Sequence, residues 1–154
     1  MDIDGVLATV RQFYMKKKHE IYNCYSFDPK CVIVFNKILE ATKPTIILSS
    51  DWKLHYPIES MNNIFEYNKV AGKVFDVTDD LWDGAKFRSV DQLEEVRATE
   101  ILKYVKDWNI TQWVAIDDLN LSPFLPEKNF VQTPRISEGI KQSGIKEKIL
   151  KRLL

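Results

Sequence analysis

The chain has 154 residues, enough for one domain with a sizeable hydrophobic core and too few for two. Its 22 basic and 22 acidic residues argue against binding to nucleic acid by bulk charge, although a local basic patch stays open. The spacing of Cys24 and Cys31 is not that of a zinc site and indicates a reducing compartment. No apolar run reaches the roughly 18 residues of a membrane span, and no leader resembles a signal peptide. We therefore expect a soluble, cytoplasmic protein without a membrane partner.

Helices and strands are predicted to alternate along the chain. The first clear helix covers residues 27–43, where Asp28 can cap the N-terminus and Pro29 fits the first turn. After Pro44, the apolar, β-branched run TIILSS predicts a buried strand. The remaining predicted elements are a helix over 57–67, a strand over 73–78, a helix over 91–108, strands at QWVAIDD and NFVQT, and a tail helix broken at Gly144. This alternation predicts an α/β fold with a mostly parallel sheet.

Chemically reactive side chains follow the predicted strands. The three stretches are Asp2 and Asp4 at the start of the chain, Ser49 and Ser50 after TIIL, and Asp117 and Asp118 after WVAI. Ligands of parallel sheets bind at the carboxyl ends of the strands, so we expect these stretches to meet at one edge.

The side chains of these stretches suit metal-assisted phosphoryl transfer. Converging carboxylates repel each other unless a cation lies among them, and oxygen ligands without His or Cys favour magnesium. A hydroxyl and the N–H groups at the turn SSDWK would suit phosphate oxygens. An aspartate can form an aspartyl-phosphate, and a second carboxylate two residues later can act as acid and base.

Four stretches in order, MDIDGVL, IILSSDW, Arg97 and VAIDDL, resemble the motifs of the haloacid dehalogenase-like (HAD) phosphohydrolase superfamily. They look most like its small phosphatase-type domains in nucleic-acid repair proteins and in stand-alone bacterial or phage proteins. The resemblance spans nearly the whole chain and implies one HAD-like domain over residues 1–154, with a Rossmann-like parallel sheet and flanking helices. It also implies a magnesium-dependent phosphatase that works through an aspartyl-phosphate.

The resemblance implies roles for the first two motifs. Asp2 matches the nucleophile, and Asp4 matches the general acid and base that gives magnesium its backbone carbonyl. Gly5 matches the glycine that permits the tight turn. Ser49 matches the phosphate-binding hydroxyl, with the Ser50 amide as a helper.

The last two motifs leave alternatives open. Asp118 matches the terminal magnesium ligand and Asp117 lies beside it, but which of the two contacts the metal directly stays open. Arg97 matches the cation that steadies the phosphate and the nucleophile, and Lys86 and Arg88 are its rivals. A purely structural interpretation instead pairs Arg97 with Glu94 or Glu100 on a solvated helix face, and reads the other three motifs as turns and helix caps.

Other conspicuous side chains have ordinary interpretations. His19 and His55 are expected to be surface or hydrogen-bonded histidines, and Lys16–Lys18 a solvated run that could guide an anionic substrate. The tryptophans are expected mainly in the core, although two beside the reactive loops could stack on a nucleic-acid base. The chain has four tryptophans, Trp52, Trp82, Trp108 and Trp113, and the two beside the reactive loops are Trp52 and Trp82.

Little of the chain is left for a lid. About twenty residues follow Leu7 before the first helix, room for a short flap, and we expect a minimal cap. An uncovered site favours a substrate that excludes water itself, such as a polynucleotide end, a nucleotide or a phosphoprotein.

Two alternatives to a phosphatase acting on nucleic-acid ends are a non-catalytic HAD-fold binding module and a phosphoprotein phosphatase. The second ranks lower, because relatives that act on protein tails carry a threonine where this chain has residues 5–7, Gly-Val-Leu.

The resemblance places Asp2 at the end of a central strand of about five apolar residues. Only Met1 precedes Asp2 in this sequence. An empty central position would leave buried backbone groups unpaired, at roughly 1–3 kcal/mol each. We therefore predict that residues upstream of Met1, or another segment of the chain, fill this position.

Overall fold

A computed structural model describes residues 1–9, 26–82 and 89–154. The helices are α1 Pro29–Thr42, α2 Ile58–Tyr67, α3 Val90–Asp107 and α4 Ile145–Leu153. The strands are β1 Ile46–Leu48, β2 Val74–Val77, β3 Ala115–Asp117 and β4 Phe130–Gln132. This order agrees with the predicted α/β class, and each helix and strand predicted within residues 27–154 is present. None of these helices is long and apolar enough to cross a membrane.

Several sequence predictions concern residues 10–25 and 83–88, which lie outside the described residues. They are the flap after the first motif, Cys24, His19, the run Lys16–Lys18, and the two rivals of Arg97, Lys86 and Arg88.

The start of α1 follows its sequence signals. The Asp28 carboxylate accepts a hydrogen bond from the Lys30 N–H at 2.9 Å, and Pro29 occupies the first turn. Asp28 also accepts hydrogen bonds from the Thr9 hydroxyl, at 3.1 Å, and from the Lys141 ammonium group. One buried carboxylate therefore joins the end of the first motif, helix α1 and the 3₁₀ turn Gly139–Lys141.

Removing the charge of Asp28 is expected to lower stability in a pH-dependent way. Burial raises the pKa of Asp28, but hydrogen bonds from Lys141 and the Lys30 N–H outweigh burial and hold the pKa below its ordinary value. The stabilisation is therefore present above the unfolded pKa of about 3.9 and is lost as the pH falls through the folded pKa. We expect Asp28→Asn, which keeps a capping oxygen, to cost about 1–2 kcal/mol in urea unfolding at neutral pH and less near pH 3. An equal cost at both pH values would contradict this role for the charge.

The four strands pair in parallel, but they form two two-stranded sheets, β1 with β2 and β3 with β4. The prediction of one continuous Rossmann-like sheet is therefore not met by the described strands. Residues Met1 and Asp2 connect the two sheets. The Met1 amine donates to the Ile47 carbonyl at 2.6 Å, the Ser49 N–H donates to the Met1 carbonyl, and the Asp2 N–H donates to the Ile116 carbonyl at 2.9 Å. Two residues can bridge the edge of the sheets but are too short to form a central strand.

Helices cover both faces of the strands. Along β3, Ala115 packs in a cluster with α3, whereas Ile116 packs in the larger cluster with α1, α2 and α4. Successive side chains of a strand point to opposite faces, so these two clusters lie on opposite sides of the sheet. Asp117 therefore shares the face of Ala115 and points toward α3.

The four tryptophans are less buried than expected. Trp52 is buried and Trp113 is half-buried, but Trp82 and Trp108 are 36% and 64% exposed. The prediction that tryptophans mainly form the core is wrong for Trp108. This residue lies one position beyond the end of α3, where it stacks loosely on Tyr104 at the rim of a cavity.

That cavity has a volume of about 590 Å³ and lies beside Met1. Its walls include the starts of β1 and β3, with Ile46 and Ile47 from β1 and Ala115 and Ile116 from β3. This is the position at which the sequence predicts a further strand. That residues upstream of Met1 or another segment of the chain fill this position stays a prediction.

An apolar strand joined ahead of Met1 is expected to stabilise the protein. Burial lowers the pKa of the Met1 amine to about 6, which means that the folded protein destabilises the charged form of this amine. Adding a pentapeptide rich in Val and Ile replaces the amine with a peptide N–H and places apolar side chains in the cavity. A Gly-Ser pentapeptide also replaces the amine, so the difference between the two extensions reports the apolar side chains alone, and we expect a gain of about 2 kcal/mol or more in urea unfolding. Equal stability of the two extended proteins would show that the cavity does not accept a strand.

Candidate active site

The first acidic pair lies on a tight turn. The N–H groups of residues 6–8 all donate to the Ile3 carbonyl, at 2.9–3.2 Å, and reverse the chain directly after Asp4. Gly5 makes this reversal possible, because its φ of 69° lies in the left-handed region that favours glycine. Asp2, which is 6% exposed, is thereby fixed at the carboxyl edge of the strands.

Arg97 of α3 lies among three carboxylates. Its Nη1 atom is 3.0 Å from Asp117 Oδ2 and 3.5 Å from Asp2 Oδ1. Its Nη2 atom is 2.8 Å from Asp51 Oδ1. The guanidinium is buried, so the interpretation of Arg97 as a solvated surface residue is wrong.

The glutamates considered as partners of Arg97 have other contacts. Glu94 accepts a hydrogen bond from the Asn120 N–H, and Glu100 forms a 2.6 Å ion pair with Lys53. The Lys53–Glu100 pair is buried and attaches α3 to the chain beyond β1. Because Glu100 lies one helical turn after Arg97, this ion pair also fixes the position of the guanidinium.

The Arg97 guanidinium stays protonated in this buried site. Burial alone lowers the pKa of this guanidinium, but the carboxylates of Asp2, Asp117 and Asp51 outweigh burial and raise the pKa above its ordinary value. The site therefore contains a permanent positive charge that contacts three acidic side chains.

Three carboxylates form a compact cluster. Asp2, Asp117 and Asp118 each offer one oxygen atom, and these atoms lie within 4.8 Å of one another. Both oxygens of Asp117 are already used, Oδ2 by Arg97 and Oδ1 by the Leu119 N–H at 3.1 Å. Within the described part of the chain, no other residue's side chain donates a hydrogen bond to the Asp118 carboxylate. The geometry therefore favours Asp118 over Asp117 as a direct metal ligand.

The electrostatics of the cluster fit a divalent cation. Burial and the neighbouring Asp2 together raise the pKa of Asp118 to about 6. Burial and Asp2 also raise the pKa of Asp117, although Arg97 opposes them. Three oxygen donors that repel one another are a donor set that suits magnesium.

Asp4 is held by a residue from the next motif. The Trp52 indole donates from Nε1 to Asp4 Oδ2 at 2.9 Å. Burial raises the pKa of Asp4 to about 6, although the Trp52 hydrogen bond opposes this effect. A carboxyl group with such a pKa can donate and accept a proton near neutral pH.

The two serines of the second motif differ in their contacts. Ser49 is buried, and its hydroxyl oxygen has no hydrogen-bond partner among the described residues. Ser50 is also buried, and its hydroxyl caps the 3₁₀ turn Asp51–Leu54 by accepting from the Trp52 N–H. A buried hydroxyl without a partner is rare in proteins, so the orphaned oxygen of Ser49 fits an absent polar ligand.

Sequence reasoning missed two residues that contact the predicted site. Asp51 binds Arg97, and Trp52 binds Asp4. Both belong to the turn SSDWK after β1, whose hydroxyl and N–H groups are predicted to suit phosphate oxygens, and Trp52 itself is predicted to lie in the core or to stack on a base. The available signal was their position directly after Ser50, in a loop that the α/β rule already places at the reactive edge.

The comparison with known families agrees with this geometry. The family model described as "HAD domain in Swiss Army Knife RNA repair proteins" matches residues 1–143. The chain belongs to this family. The matched range contains all four motifs of the HAD domain and confirms the resemblance drawn from them. Neither a curated protein nor a solved structure matches the chain.

Gly5 is expected to be essential to the geometry of this HAD domain. A Cβ atom at Gly5 would lie 2.5 Å from the Asp118 carboxylate, in addition to the strain of its positive φ. Gly144 provides a matched control, because its φ is 84° and a Cβ atom there would meet nothing within 4 Å. We expect Gly144→Ala to cost about 1–2 kcal/mol of stability and to leave magnesium affinity unchanged. Gly5→Ala should cost more, and it should weaken magnesium binding in calorimetric titration by about tenfold or more. Equal magnesium affinity in both variants would contradict this packing of Gly5 against Asp118.

Proposed function

We propose that this HAD domain is a magnesium-dependent phosphatase that hydrolyses a phosphomonoester through an aspartyl-phosphate on Asp2. The observation that carries the proposal is the surroundings of Asp2. Its buried carboxylate contacts Arg97 and lies within 4.8 Å of oxygen atoms of Asp117 and Asp118. A carboxylate fixed beside a permanent cation and a cation-accepting cluster suits nucleophilic attack on a phosphoryl group.

Magnesium would be held by Asp2, Asp118 and the backbone carbonyl of Asp4. Asp117 would support the site from beside it, since Arg97 and the Leu119 N–H already use its oxygens. When bound, magnesium supplies positive charge that offsets the charge of the transferring phosphoryl group.

The chain's own residues account for both halves of the reaction. In the first step, an Asp2 carboxylate oxygen attacks phosphorus while Asp4 gives its proton to the leaving oxygen as the phosphorus–oxygen bond breaks. In the second step, Asp4 accepts a proton from water, and the water oxygen attacks phosphorus and releases inorganic phosphate from Asp2. Proton donation and acceptance by one group fit a pKa near neutral pH.

The remaining residues would bind and orient the phosphate. The buried Ser49 hydroxyl has an unused hydrogen bond, and Ser50 begins the turn that carries Asp51. Arg97 would steady both the Asp2 carboxylate and the phosphoryl oxygens. These assignments predict that the serines and Arg97 act on binding and on the transition state rather than on proton transfer.

The substrate we propose is a terminal phosphate of a nucleic acid, with RNA favoured over DNA. The family description places such HAD domains in RNA repair proteins. The sequence also leaves room for a short flap only, which favours a substrate that brings its own bulk to the site.

A panel of phosphorylated compounds tests this function. RNA and DNA oligonucleotides with a 3′ or a 5′ phosphate, nucleoside monophosphates, sugar phosphates and a phosphopeptide are assayed for phosphate release with magnesium and with a chelator. We expect magnesium-dependent release, fastest from an RNA end. Magnesium binding without release from any compound would favour a non-catalytic binding module, and preference for the phosphopeptide would favour a phosphoprotein phosphatase.

A further inference from the structure

The Trp52 side chain is fixed against Asp4. It is 8% exposed, and its ring packs against the rings of Phe27 and Tyr56, each at a centroid distance of 5.7 Å. Its only polar atom, Nε1, donates to Asp4 Oδ2 at 2.9 Å. A rigid ring therefore directs one hydrogen-bond donor at one oxygen of the carboxyl group that would transfer protons.

We propose that Trp52 is a positioning residue that keeps the transferable proton of Asp4 on Oδ1. This inference rests on the proposed phosphatase function. The indole N–H is a donor only, so Oδ2 must accept from it and is a poor position for the proton. Oδ1 then carries the proton, gives it to the leaving oxygen and later accepts a proton from water. Trp52 also stops the carboxyl group from rotating away, because rotation would break the 2.9 Å bond.

If Trp52 places the proton of Asp4, the effect of removing its N–H should depend on the leaving group of the substrate, which a packing role alone does not predict. An alkoxide or ribose oxygen leaves poorly without a proton, whereas a dinitrophenolate leaves well without one. Loss of the indole donor should therefore slow the first step for a poor leaving group and spare a good one. Loss of packing alone should lower both rates to the same extent.

The test compares kcat/KM, which reports the first step, for a phosphorylated oligonucleotide end and for dinitrophenyl phosphate. Trp52→Phe keeps an aromatic ring and removes the N–H. Benzothienylalanine at position 52 keeps the bicyclic ring and also lacks the N–H, so it replaces the phenylalanine variant if that one fails to fold. We expect a loss of about tenfold or more on the oligonucleotide and of less than about twofold on dinitrophenyl phosphate.

Two variants calibrate this result. Asp4→Asn should show the same leaving-group dependence with a larger loss, because it removes the acid itself. Phe27→Leu loosens the packing of Trp52 but keeps its N–H, so its loss should depend on the leaving group far less than the loss in the Trp52 variants. Equal losses on both substrates in the Trp52 variants would overturn the inference and leave the phosphatase function standing. A wild-type protein inactive on every phosphate ester would overturn the proposed function itself.

Discussion

Asp2→Asn is expected to lower magnesium-dependent phosphate release by on the order of 10³-fold or more. The asparagine amide has nearly the shape of the carboxylate, but its neutral oxygen is a weak nucleophile and does not form an acyl phosphate. The variant should still fold, because Asp2 raises the pKa of both Asp117 and Asp118 and removing its charge relieves that repulsion. We expect unchanged or higher stability in urea with a chelator present.

Asp91→Asn is a matched control for this variant. Asp91 lies in the exposed first turn of α3, outside the cluster, and its substitution should leave phosphate release near the wild-type rate. If Asp2→Asn retained substantial magnesium-dependent turnover, Asp2 would not be the nucleophile.

Arg97→Met is expected to cost about 3–5 kcal/mol of stability in urea unfolding with a chelator present. The substitution leaves Asp117 fully buried without its cation and removes the contacts to Asp2 and Asp51. Such a loss is a large part of the stability of a small domain, often about 5–15 kcal/mol. Added magnesium should restore part of the loss, because a divalent cation supplies positive charge to the same carboxylates.

Two further substitutions test the role of the guanidinium. Arg97→Lys keeps a charge but loses the two-pronged contact of Nη1 and Nη2, so we expect an intermediate loss. Lys103→Met removes two exposed ion pairs from the same helix, to Asp79 and Asp107, and should cost less than about 1 kcal/mol. An Arg97→Met variant as stable as Lys103→Met would show that Arg97 is not the counter-charge of the cluster.

Local signals predicted much of the fold. Asp28 and Pro29 mark the start of α1, and the spacing of its apolar residues identifies its buried face. Asp117 was predicted to follow a buried strand, and the alternation along β3 explains why it meets α3. These predictions succeeded because the relevant residues lie within a few positions of one another.

The contacts that the sequence did not reveal connect distant residues. Trp52 and Asp4 are 48 positions apart, and Lys53 and Glu100 are 47 apart. Their partners depend on how a short 3₁₀ turn folds back over the sheet edge, which no periodic pattern reports. The division of the strands into two sheets was missed for a related reason. In space, the described residues that join β1 to β3 by hydrogen bonds are Met1 and Asp2, and two residues do not complete a sheet.

The most direct test of the account is chemical trapping of the aspartyl-phosphate. The Asp4→Asn variant should still form the intermediate from dinitrophenyl phosphate, whose leaving group needs no proton, but it should hydrolyse the intermediate slowly. The variant is mixed with magnesium and dinitrophenyl phosphate and then treated with borohydride. Borohydride reduces an acyl phosphate to an alcohol, and mass spectrometry of the tryptic peptide covering residues 1–11 locates the product. We predict homoserine at position 2, dependent on magnesium and absent from the Asp2→Asn variant. Reduction at another position, or none while the wild-type protein turns over, would contradict nucleophilic catalysis by Asp2.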